Sequence, residues 1–309
     1  MDLRVNLVKE SKFELQLQNP VMTGSGTFSN GLELAKKFNI NELGAVVSKG
    51  TTIHPRKGNQ TPRTHETPSG MINAIGFQNI GINALINNVA PIWEKWDIPA
   101  IVNIMGDTVS DYGFLAAKLD DVPGISALEV NISCPNVDAG GLEYGQDPSM
   151  AAEVITVVRN HTSLPIIAKL TPSVSNIQPI VKAVTESGSQ AITISNTIPA
   201  LAIDINNRKP VIANGFGGLS GPAIKPIILR LVWQAASVSE IPIIASGGII
   251  SGKDAIEFIM AGASAVQIGT ATFLDPFAPW RIIDEIKKWC IQNKVHSISE
   301  LVGAAQDVH

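Results

Sequence analysis

The sequence is poor in the residues that mark secreted, metal-binding or nucleic-acid-binding proteins. Among its 309 residues are two cysteines, Cys134 and Cys290, and five histidines without metal-ligand spacing, so we expect no disulfide scaffold and no bound metal. Charged residues make up only 16% of the chain, the net charge is −4 and no basic run occurs. This balance argues against nucleic acid or an anionic membrane surface as the main partner.

Segments that direct a protein to or across a membrane are also missing. Residues 1–10 alternate polar and apolar side chains and lack the apolar core of a signal peptide. No apolar stretch approaches the roughly 18 residues that a membrane span needs. We therefore expect a cytoplasmic protein, in which a lone cysteine is more often catalytic or inert than paired.

Eight short apolar, β-branched segments recur along the chain, each followed by a helix-like stretch. They span residues 20–26, 45–50, 100–106, 127–135, 165–170, 191–196, 242–248 and 265–270. Buried strands that alternate with helices predict a parallel sheet with both faces covered. Eight such units over about 250 residues fit a closed barrel better than an open doubly wound sheet. We expect an α/β fold, a single (β/α)8 TIM barrel domain over residues 1–309.

Three further segments complete the predicted architecture. Residues 3–9 and 12–17 alternate like the two strands of a hairpin, which would cover the bottom of the barrel. The connections after the second and sixth strands, residues 51–98 and 197–221, are too long for plain loops. Long loops in a compact domain usually form lids or binding loops.

Polar residues or glycines end all eight predicted strands. They are Ser25, Lys49, Asn103, Asn131 with Cys134, Lys169, Asn196, Gly247 with Gly248, and Gly269 with Thr270. In a barrel these ends converge on one face, where active sites form. One such residue can be a cap or a turn residue, but the whole set, with two lysines and three asparagines, predicts a site.

The glycines after the seventh and eighth strands predict a phosphate site. Gly247 with Gly248, and Gly269 with Thr270, occupy the two loops that usually hold phosphate in barrels. Glycines let backbone N–H groups approach a phosphate, and the helix N-terminus that follows favours its charge. Plain turns would explain either pair alone, but both pairs at these two strands favour a phosphate.

Lys169 and Cys134 are the candidates for chemistry. A lysine buried in a barrel mouth must face an anion or a developing negative charge, although a salt bridge to a neighbouring strand and an aldolase Schiff base remain open. Cys134 lies just past the fourth strand, where Pro135 turns the chain into a loop, and a thiol there can exchange a proton with a carbon centre. Cys290 lies in a helical stretch and is interpreted as structural.

Four asparagines suggest the kind of substrate. Asn73, Asn131, Asn136 and Asn196 each offer a donor and an acceptor, the alternation that a cyclic imide or urea such as a pyrimidine ring presents. Lys49 would match a carboxylate on that ring. Each asparagine taken alone is as often a loop brace as a ligand contact.

Several motifs resemble those of class 1 dihydroorotate dehydrogenases. They are Ser-Lys-Gly-Thr-Thr (48–52), Pro-Arg-Lys-Gly-Asn (55–59), Gly-Met-Ile-Asn-Ala-Ile-Gly-Phe-Gln-Asn (70–79), Asn-Ile-Ser-Cys-Pro-Asn-Val (131–137), Ser-Asn-Thr (195–197) and Gly-Gly-Leu-Ser-Gly-Pro-Ala-Ile-Lys-Pro (217–226). The resemblance runs from about residue 15 to residue 276. Asn-Arg-Lys-Pro together with Gly-Gly-Leu-Ser-Gly-Pro is most similar to the catalytic, FMN-binding subunit of the B type.

This resemblance implies an enzyme that oxidises (S)-dihydroorotate to orotate in pyrimidine biosynthesis, with Cys134 as the base. It implies FMN contacts from Ser25, Lys49, Asn103, Asn131, Lys169, Ser195, Gly221, Gly247, Gly248, Gly269 and Thr270. It implies orotate contacts from Lys49, Asn73, Ile75, Gly76, Phe77, Asn131, Asn136, Asn196 and Thr197. Two positions depart from the family pattern: Phe77 replaces a smaller apolar residue, and the loop at Asp138 is more acidic.

The B-type resemblance also implies partners. A dimer of this chain would bind a subunit carrying FAD and a [2Fe–2S] cluster, which passes electrons to NAD in a heterotetramer. The alternatives are a fumarate-dependent A-type enzyme, an FMN-dependent dihydrouridine synthase and a Schiff-base aldolase. The synthase needs a basic surface for tRNA, which the net charge of −4 argues against.

Overall fold

Eight parallel strands form the central sheet, and each lies within one of the eight segments predicted from the sequence. They are β1 (Val21–Thr23), β2 (Val46–Val47), β3 (Ala100–Ile104), β4 (Ala127–Asn131), β5 (Ile166–Leu170), β6 (Ala191–Ile194), β7 (Ile243–Ser246) and β8 (Ala265–Ile268). Their order in the sheet is β1-β8-β7-β6-β5-β4-β3-β2. A parallel bridge between Met22 and Ala45 joins β1 to β2. The predicted (β/α)8 barrel is confirmed.

This computed structural model describes residues 1–8, 14–133, 135–136 and 142–306, with the backbone alone for Pro135, Asn136, Leu142 and Glu143. The α-helices of the described chain are Leu32–Ala35, Ile82–Asn88, Ala90–Trp93, Val109–Leu119, Pro148–His161, Gln178–Glu186, Lys225–Ala236, Gly252–Met260, Ala271–Leu274 and Ala278–Gln292. Short 3₁₀ helices span Ile40–Glu42, Tyr144–Gln146, Pro222–Ile224 and Ile298–Leu301. None of the described helices is both long enough and apolar enough to cross a membrane.

Side-chain caps fix where several of the outer helices begin. Thr108 accepts a hydrogen bond from the backbone of Asp111 and forms a capping box at the start of Val109–Leu119. Asp147 caps Pro148–His161, and Ser251 caps Gly252–Met260. Each cap follows a loop from the carboxyl end of a barrel strand, so the loops that carry the predicted site have defined ends.

The core explains why the strands could be recognised from apolar runs. Every residue of β3, β4 and β5 is buried, as expected for strands covered on both faces. The helices Val109–Leu119 and Pro148–His161 bury apolar residues at helical spacing against the sheet.

The predicted N-terminal hairpin is present. Val5–Val8 pairs with Leu15–Leu17 in antiparallel register. The side chains of Leu7, Leu15 and Leu17 are fully buried in the same hydrophobic core as the barrel strands. The alternation in the sequence therefore reflects one face of the hairpin that packs on the barrel.

The two long connections join each other, which the sequence did not predict. The connection after β2 contains the strands Thr64–Thr67 and Gly70–Asn73, and the connection after β6 contains Ile198–Ala200 and Gly217–Ser220. These four strands form one antiparallel sheet, here called the mouth sheet, in which Gly70–Asn73 pairs with Gly217–Ser220. Two smaller antiparallel pairs, Ile203–Asp204 with Lys209–Pro210 and Pro135–Asn136 with Leu142–Glu143, lie in loops.

Candidate active site

The strand register places several predicted site residues at one level of the barrel mouth. Lys169 on β5 is level with Asn131 on β4 and Thr193 on β6, and Asn103 on β3 is level with Glu129 on β4. Parallel strands end at one edge, so these side chains point to a common space from different strands. The convergence predicted from the sequence is observed for this group.

Lys169 lies in a buried hydrogen-bond network inside the barrel. Its Nζ donates to Ser25 Oγ at 2.9 Å and to Gln267 Oε1 at 3.4 Å. It also lies 3.5 Å from Glu129 Oε1, and the two side chains are only 5% and 0% exposed. The salt bridge to a neighbouring strand is therefore real. Removing one member of such a buried pair costs about 3–5 kcal/mol, because the other charge is left unpaired.

Asn103 presents a hydrogen-bond acceptor without a partner. Its Nδ2 donates to Glu129 Oε1 at 2.7 Å, which fixes the orientation of the amide because a carboxylate oxygen accepts. Its Oδ1 is buried and has no partner among the described residues. Buried polar atoms are rarely left unsatisfied, so this oxygen points to a donor on a bound molecule. The ring N–H of a flavin is a donor of that kind.

Of the glycines predicted to hold phosphate, Gly269 borders open space, whereas Gly248 is tightly packed. Gly248 has φ 78°, and a Cβ there would lie 2.7 Å from Lys225 Cβ, so only glycine fits. Within the part of the chain that the structure describes, a Cβ on Gly269 would meet nothing closer than Thr27 Cγ2 at 4.0 Å. The Oγ1 of Thr27 is buried and has no described partner, as a hydroxyl that donates to a phosphate oxygen would be.

Gly247 and the helix after β8 define the rest of the predicted phosphate site. Gly247 has φ 148°, and a Cβ there would lie 2.8 Å from Ile228 Cγ1. The helix after β8, Ala271–Leu274, is a single turn. Backbone N–H groups and the Thr27 hydroxyl, rather than the dipole of that helix, would therefore hold a phosphate on the Gly269 side.

The mouth sheet is tied to the loop after β8. Thr270 Oγ1 donates to Ser220 Oγ, the last residue of a mouth-sheet strand, at 2.8 Å. Gly221 follows with φ 94°, and a Cβ there would lie 2.8 Å from Gly70 Cα. The predicted FMN residues Gly221 and Thr270 are thus close together, and Gly221 passes too near another strand for any side chain.

A chain of hydrogen bonds joins the asparagines that follow β4 and β6. Ser133 Oγ donates to Asn131 Oδ1 at 2.6 Å, and Asn196 Nδ2 donates to Ser133 Oγ at 2.5 Å. The backbone N–H of Thr197 donates to Asn196 Oδ1 at 2.9 Å. Ser195, which precedes them, is 1% exposed. Ser133 thus connects Asn131 with Asn196, and Ser195 and Thr197 are the chain neighbours of Asn196.

Four other predicted substrate contacts lie at the end of a mouth-sheet strand and in the segment that follows it. Asn73 ends one of its strands, and the chain continues through Ile75, whose carbonyl accepts from Asn59 N at 2.9 Å. Gly76 has φ 70°, and a Cβ there would lie 2.5 Å from Asn59 Oδ1, so glycine is required. Phe77 also has a positive φ, of 53°. Two consecutive residues with positive φ thus fix the path of the chain after this strand.

Lys49 has a second cation near it. Its Nζ lies 3.4 Å from the carbonyl oxygen of Gly26, and its backbone N–H donates to Ser29 O at 2.8 Å. Burial lowers the pKa of Lys49, and the positive charge of Arg63 lowers it further. Sequence reasoning missed Arg63, because nothing in a loop sequence shows which strand end it folds against. The positive charge of Arg63 acts at Lys49, and such a positive potential suits an anionic ligand.

The structure describes the surroundings of Cys290 but not those of Cys134. Cys134 lies outside the described residues, as does Asp138, and only the backbone of Asn136 is described. Cys290 is fully buried in the main core on the helix Ala278–Gln292. Burial raises the pKa of its thiol, which suits the structural role expected for it.

A cleft of about 740 Å³ lies elsewhere, between the N-terminal residues and the last long helix. It is lined by Arg4, Glu42 and Trp280 among others, and it contains none of the predicted site residues. Among the described residues, no three His, Cys, Asp or Glu side chains gather as a metal site would require.

Known proteins resemble this chain over nearly its whole length. The family model for dihydroorotate dehydrogenase matches residues 7–290. The protein of Desulforamulus reducens named dihydroorotate dehydrogenase B (NAD(+)), catalytic subunit, is 51% identical over 292 residues, which cover 94% of this chain and 96% of that protein. The protein of the same name from Pelobacter propionicus is 48% identical over 305 residues, 99% of each chain. That from Citrifermentans bemidjiense is 48% identical over 292 residues, 94% of this chain and 96% of its own.

Proposed function

This chain belongs to the dihydroorotate dehydrogenase family of flavin-dependent oxidoreductases, and we propose that it is the catalytic subunit of a B-type enzyme. It would oxidise (S)-dihydroorotate to orotate in pyrimidine biosynthesis with FMN in the barrel mouth. One observation carries the FMN assignment. Two buried polar atoms at the mouth have no partner in the described chain: Asn103 Oδ1, beside the Lys169 network, and Thr27 Oγ1, beside Gly269.

These two atoms differ in the group that each can satisfy. Asn103 Oδ1 accepts, so it suits an N–H of the flavin ring. Thr27 Oγ1 can donate, so it suits an oxygen of the phosphate. Ring contacts would come from Lys49, Asn103, Asn131 and Lys169. The remaining FMN contacts would come from Ser25, Ser195, Gly221, Gly247, Gly248, Gly269 and Thr270.

Within this proposal, the residues of the chain bind and orient the substrate and move one proton. FMN, when bound, supplies the hydride acceptor. Cys134 removes the proton from C5 of dihydroorotate. The hydrogen bonds among Asn131, Ser133 and Asn196 hold the segment just before Cys134. The two asparagines would contact the substrate ring.

Charge places the substrate and favours reduction. Lys49, with Arg63 beside it, attracts the carboxylate of the substrate. Lys169 supplies the positive charge that favours electron density on the ring system next to it. Asn73 and the backbone of Ile75, Gly76 and Phe77 would cover the remaining edge of the substrate, together with Asn136 and Thr197.

The proposal extends to partners and location. The relatives are named as NAD(+) enzymes and as catalytic subunits, and both words support a separate subunit that passes electrons to NAD. We assign FAD and a [2Fe–2S] cluster to that subunit, and a heterotetramer built on a dimer of this chain. The whole chain would act as one FMN-binding domain in the cytoplasm.

Anaerobic reduction of the purified protein tests the proposal. Dihydroorotate should bleach the visible flavin band, whereas orotate, the oxidised product, should only perturb it. The cofactor released by denaturation should have the mass of FMN. Release of FAD, absence of a flavin, or a band that dihydroorotate leaves unbleached would overturn the assignment.

A further inference from the structure

One buried carboxylate contacts two of the residues expected to meet the flavin. Glu129 lies on β4 with no exposed surface, and its Oε1 accepts from Asn103 Nδ2 at 2.7 Å and lies 3.5 Å from Lys169 Nζ. Its Oε2 accepts from Thr193 Oγ1 at 2.8 Å and from Gln267 Nε2 at 2.5 Å. All four neighbours present hydrogen-bond donors to Glu129, and such a surrounding suits an ionised carboxylate.

The network leaves Asn103 and Lys169 little freedom. Asn103 must turn Nδ2 toward Glu129, so its unpaired Oδ1 faces away from the carboxylate. Lys169 is held from three sides, by Glu129, Gln267 and Ser25. Reversing the amide or moving the lysine would leave a buried charge without its partner, which is costly.

We propose that Glu129 is a positioning residue that holds Lys169 and Asn103 against the flavin and whose negative charge lowers the flavin's reduction potential. This inference rests on the proposed function, because it needs FMN in the barrel mouth. Reduction adds negative charge to the ring, and a buried carboxylate beside Lys169 offsets the attraction of the lysine for that charge. Glu129 and Lys169 thus act as a pair with no net charge.

The midpoint potential of bound FMN tests this directly. E129Q keeps the shape of the side chain but removes its charge. At an effective dielectric of about 20, loss of one buried charge should shift the reduction equilibrium toward reduced flavin about tenfold or more. For a two-electron couple, tenfold corresponds to about 30 mV in the positive direction.

T193V is the matched control, because it removes one hydrogen bond to Glu129 Oε2 and leaves the charge in place. A residue that only stabilised the fold would give the two variants similar effects. We expect T193V to shift the equilibrium less than about twofold while E129Q shifts it about tenfold. Equal shifts, or less than a threefold shift in E129Q, would overturn the proposal.

A second comparison covers the case in which E129Q fails to fold because Lys169 is left unpaired. The double variant E129Q/K169M removes both charges and leaves neither of them unpaired. Its reduction equilibrium should stay within about twofold of the wild-type value, because the pair carries no net charge, and a shift of about tenfold or more toward oxidised flavin would mean that Lys169 acts uncompensated and would overturn the proposal. Wild-type protein titrated with FMN separates the two levels: failure to bind FMN contradicts the proposed function, whereas FMN binding with an unchanged potential in E129Q, or with that shift in the double variant, contradicts the role of Glu129 alone.

Discussion

Asn196 Nδ2 lies 2.5 Å from Ser133 Oγ, although the two residues are 63 positions apart in the sequence. This hydrogen bond joins the loop after β6 to the loop after β4 one residue before Cys134. The same hydroxyl donates to Asn131 Oδ1 at 2.6 Å, so three strand-end residues fix where the chain enters the segment that carries the predicted base.

Cys134→Ser should retain FMN and orotate but slow flavin reduction steeply. A serine hydroxyl is a far weaker base than a thiolate, and general-base catalysis contributes ~10²–10⁴-fold, with the largest loss expected near neutral pH. Stopped-flow reduction by dihydroorotate across pH measures the effect. Cys290→Ser is the matched control, because Cys290 is buried in the core. The rate of flavin reduction in this variant should equal that of the wild type. A near-normal rate for Cys134→Ser at pH 7 would remove Cys134 from this role.

Gly269→Ala should weaken FMN without harming the fold. Among the described residues, the added methyl group meets only Thr27 Cγ2, at 4.0 Å, so it extends into the open space assigned to phosphate. A steric cost of about 1.4 kcal/mol would lower FMN affinity about tenfold. Fluorescence titration of apoprotein measures the affinity, and the apoprotein's Tm should match that of the wild type.

Gly248→Ala, unlike Gly269→Ala, should also destabilise the fold. Its φ of 78° and the approach of Lys225 make any side chain strained, so both FMN affinity and Tm should fall. Wild-type FMN affinity in Gly269→Ala would mean that the phosphate lies elsewhere.

Lys49→Ala should weaken orotate more than uracil, because only orotate carries the carboxylate. Loss of a charged partner should cost about 2 kcal/mol, or about 30-fold in Kd. Perturbation of the flavin spectrum by each ligand gives both constants. Equal losses for the two ligands would mean that Lys49 serves the flavin or the fold.

Orotate affinity should fall as the pH rises, and this fall should occur at a lower pH than that at which an ordinary lysine loses its proton. Burial and the charge of Arg63 lower the pKa of Lys49. The proposed binding of orotate needs the protonated form of this lysine. Orotate affinity is therefore highest at a pH below the lowered pKa of Lys49, and it is lost as the pH rises through that pKa. Arg63→Gln removes the repelling charge and should move this loss to higher pH, while Lys49→Met should abolish it. An unchanged midpoint in Arg63→Gln would contradict the coupling.

The isolated chain should reduce artificial dyes but not NAD. The sequence has no dinucleotide fingerprint and only two cysteines, too few to ligate an iron–sulfur cluster. Parallel assays with NAD, fumarate and a dye test this, with and without the partner subunit. Fast turnover with fumarate would reassign the chain to the A type, and rapid NAD reduction without the partner would refute the relay.

The sequence predicted the barrel because its strands are short apolar runs, and local composition is enough to identify those. The run that contains Glu129 predicts a buried strand but not its partners, since Asn103 and Gln267 lie 26 and 138 positions away. The sequence around Lys169 predicted that its buried positive charge needs a negative partner. Only the folded barrel shows that the partner is the carboxylate of Glu129. The effect of Arg63 on Lys49 could not be predicted for the same reason: it depends on how a long loop folds back.

The mouth sheet has a consequence for the order in which the molecule assembles. Asn73 and Gly218 pair across 145 positions, and closing a loop of that length costs chain entropy before any contact compensates it. Most barrel strands pair with near neighbours in the sequence, whereas β1 and β8, which close the barrel, join segments even farther apart than those of the mouth sheet. We therefore expect the mouth sheet, and the substrate contacts proposed on it, to form after the sequential pairs of barrel strands.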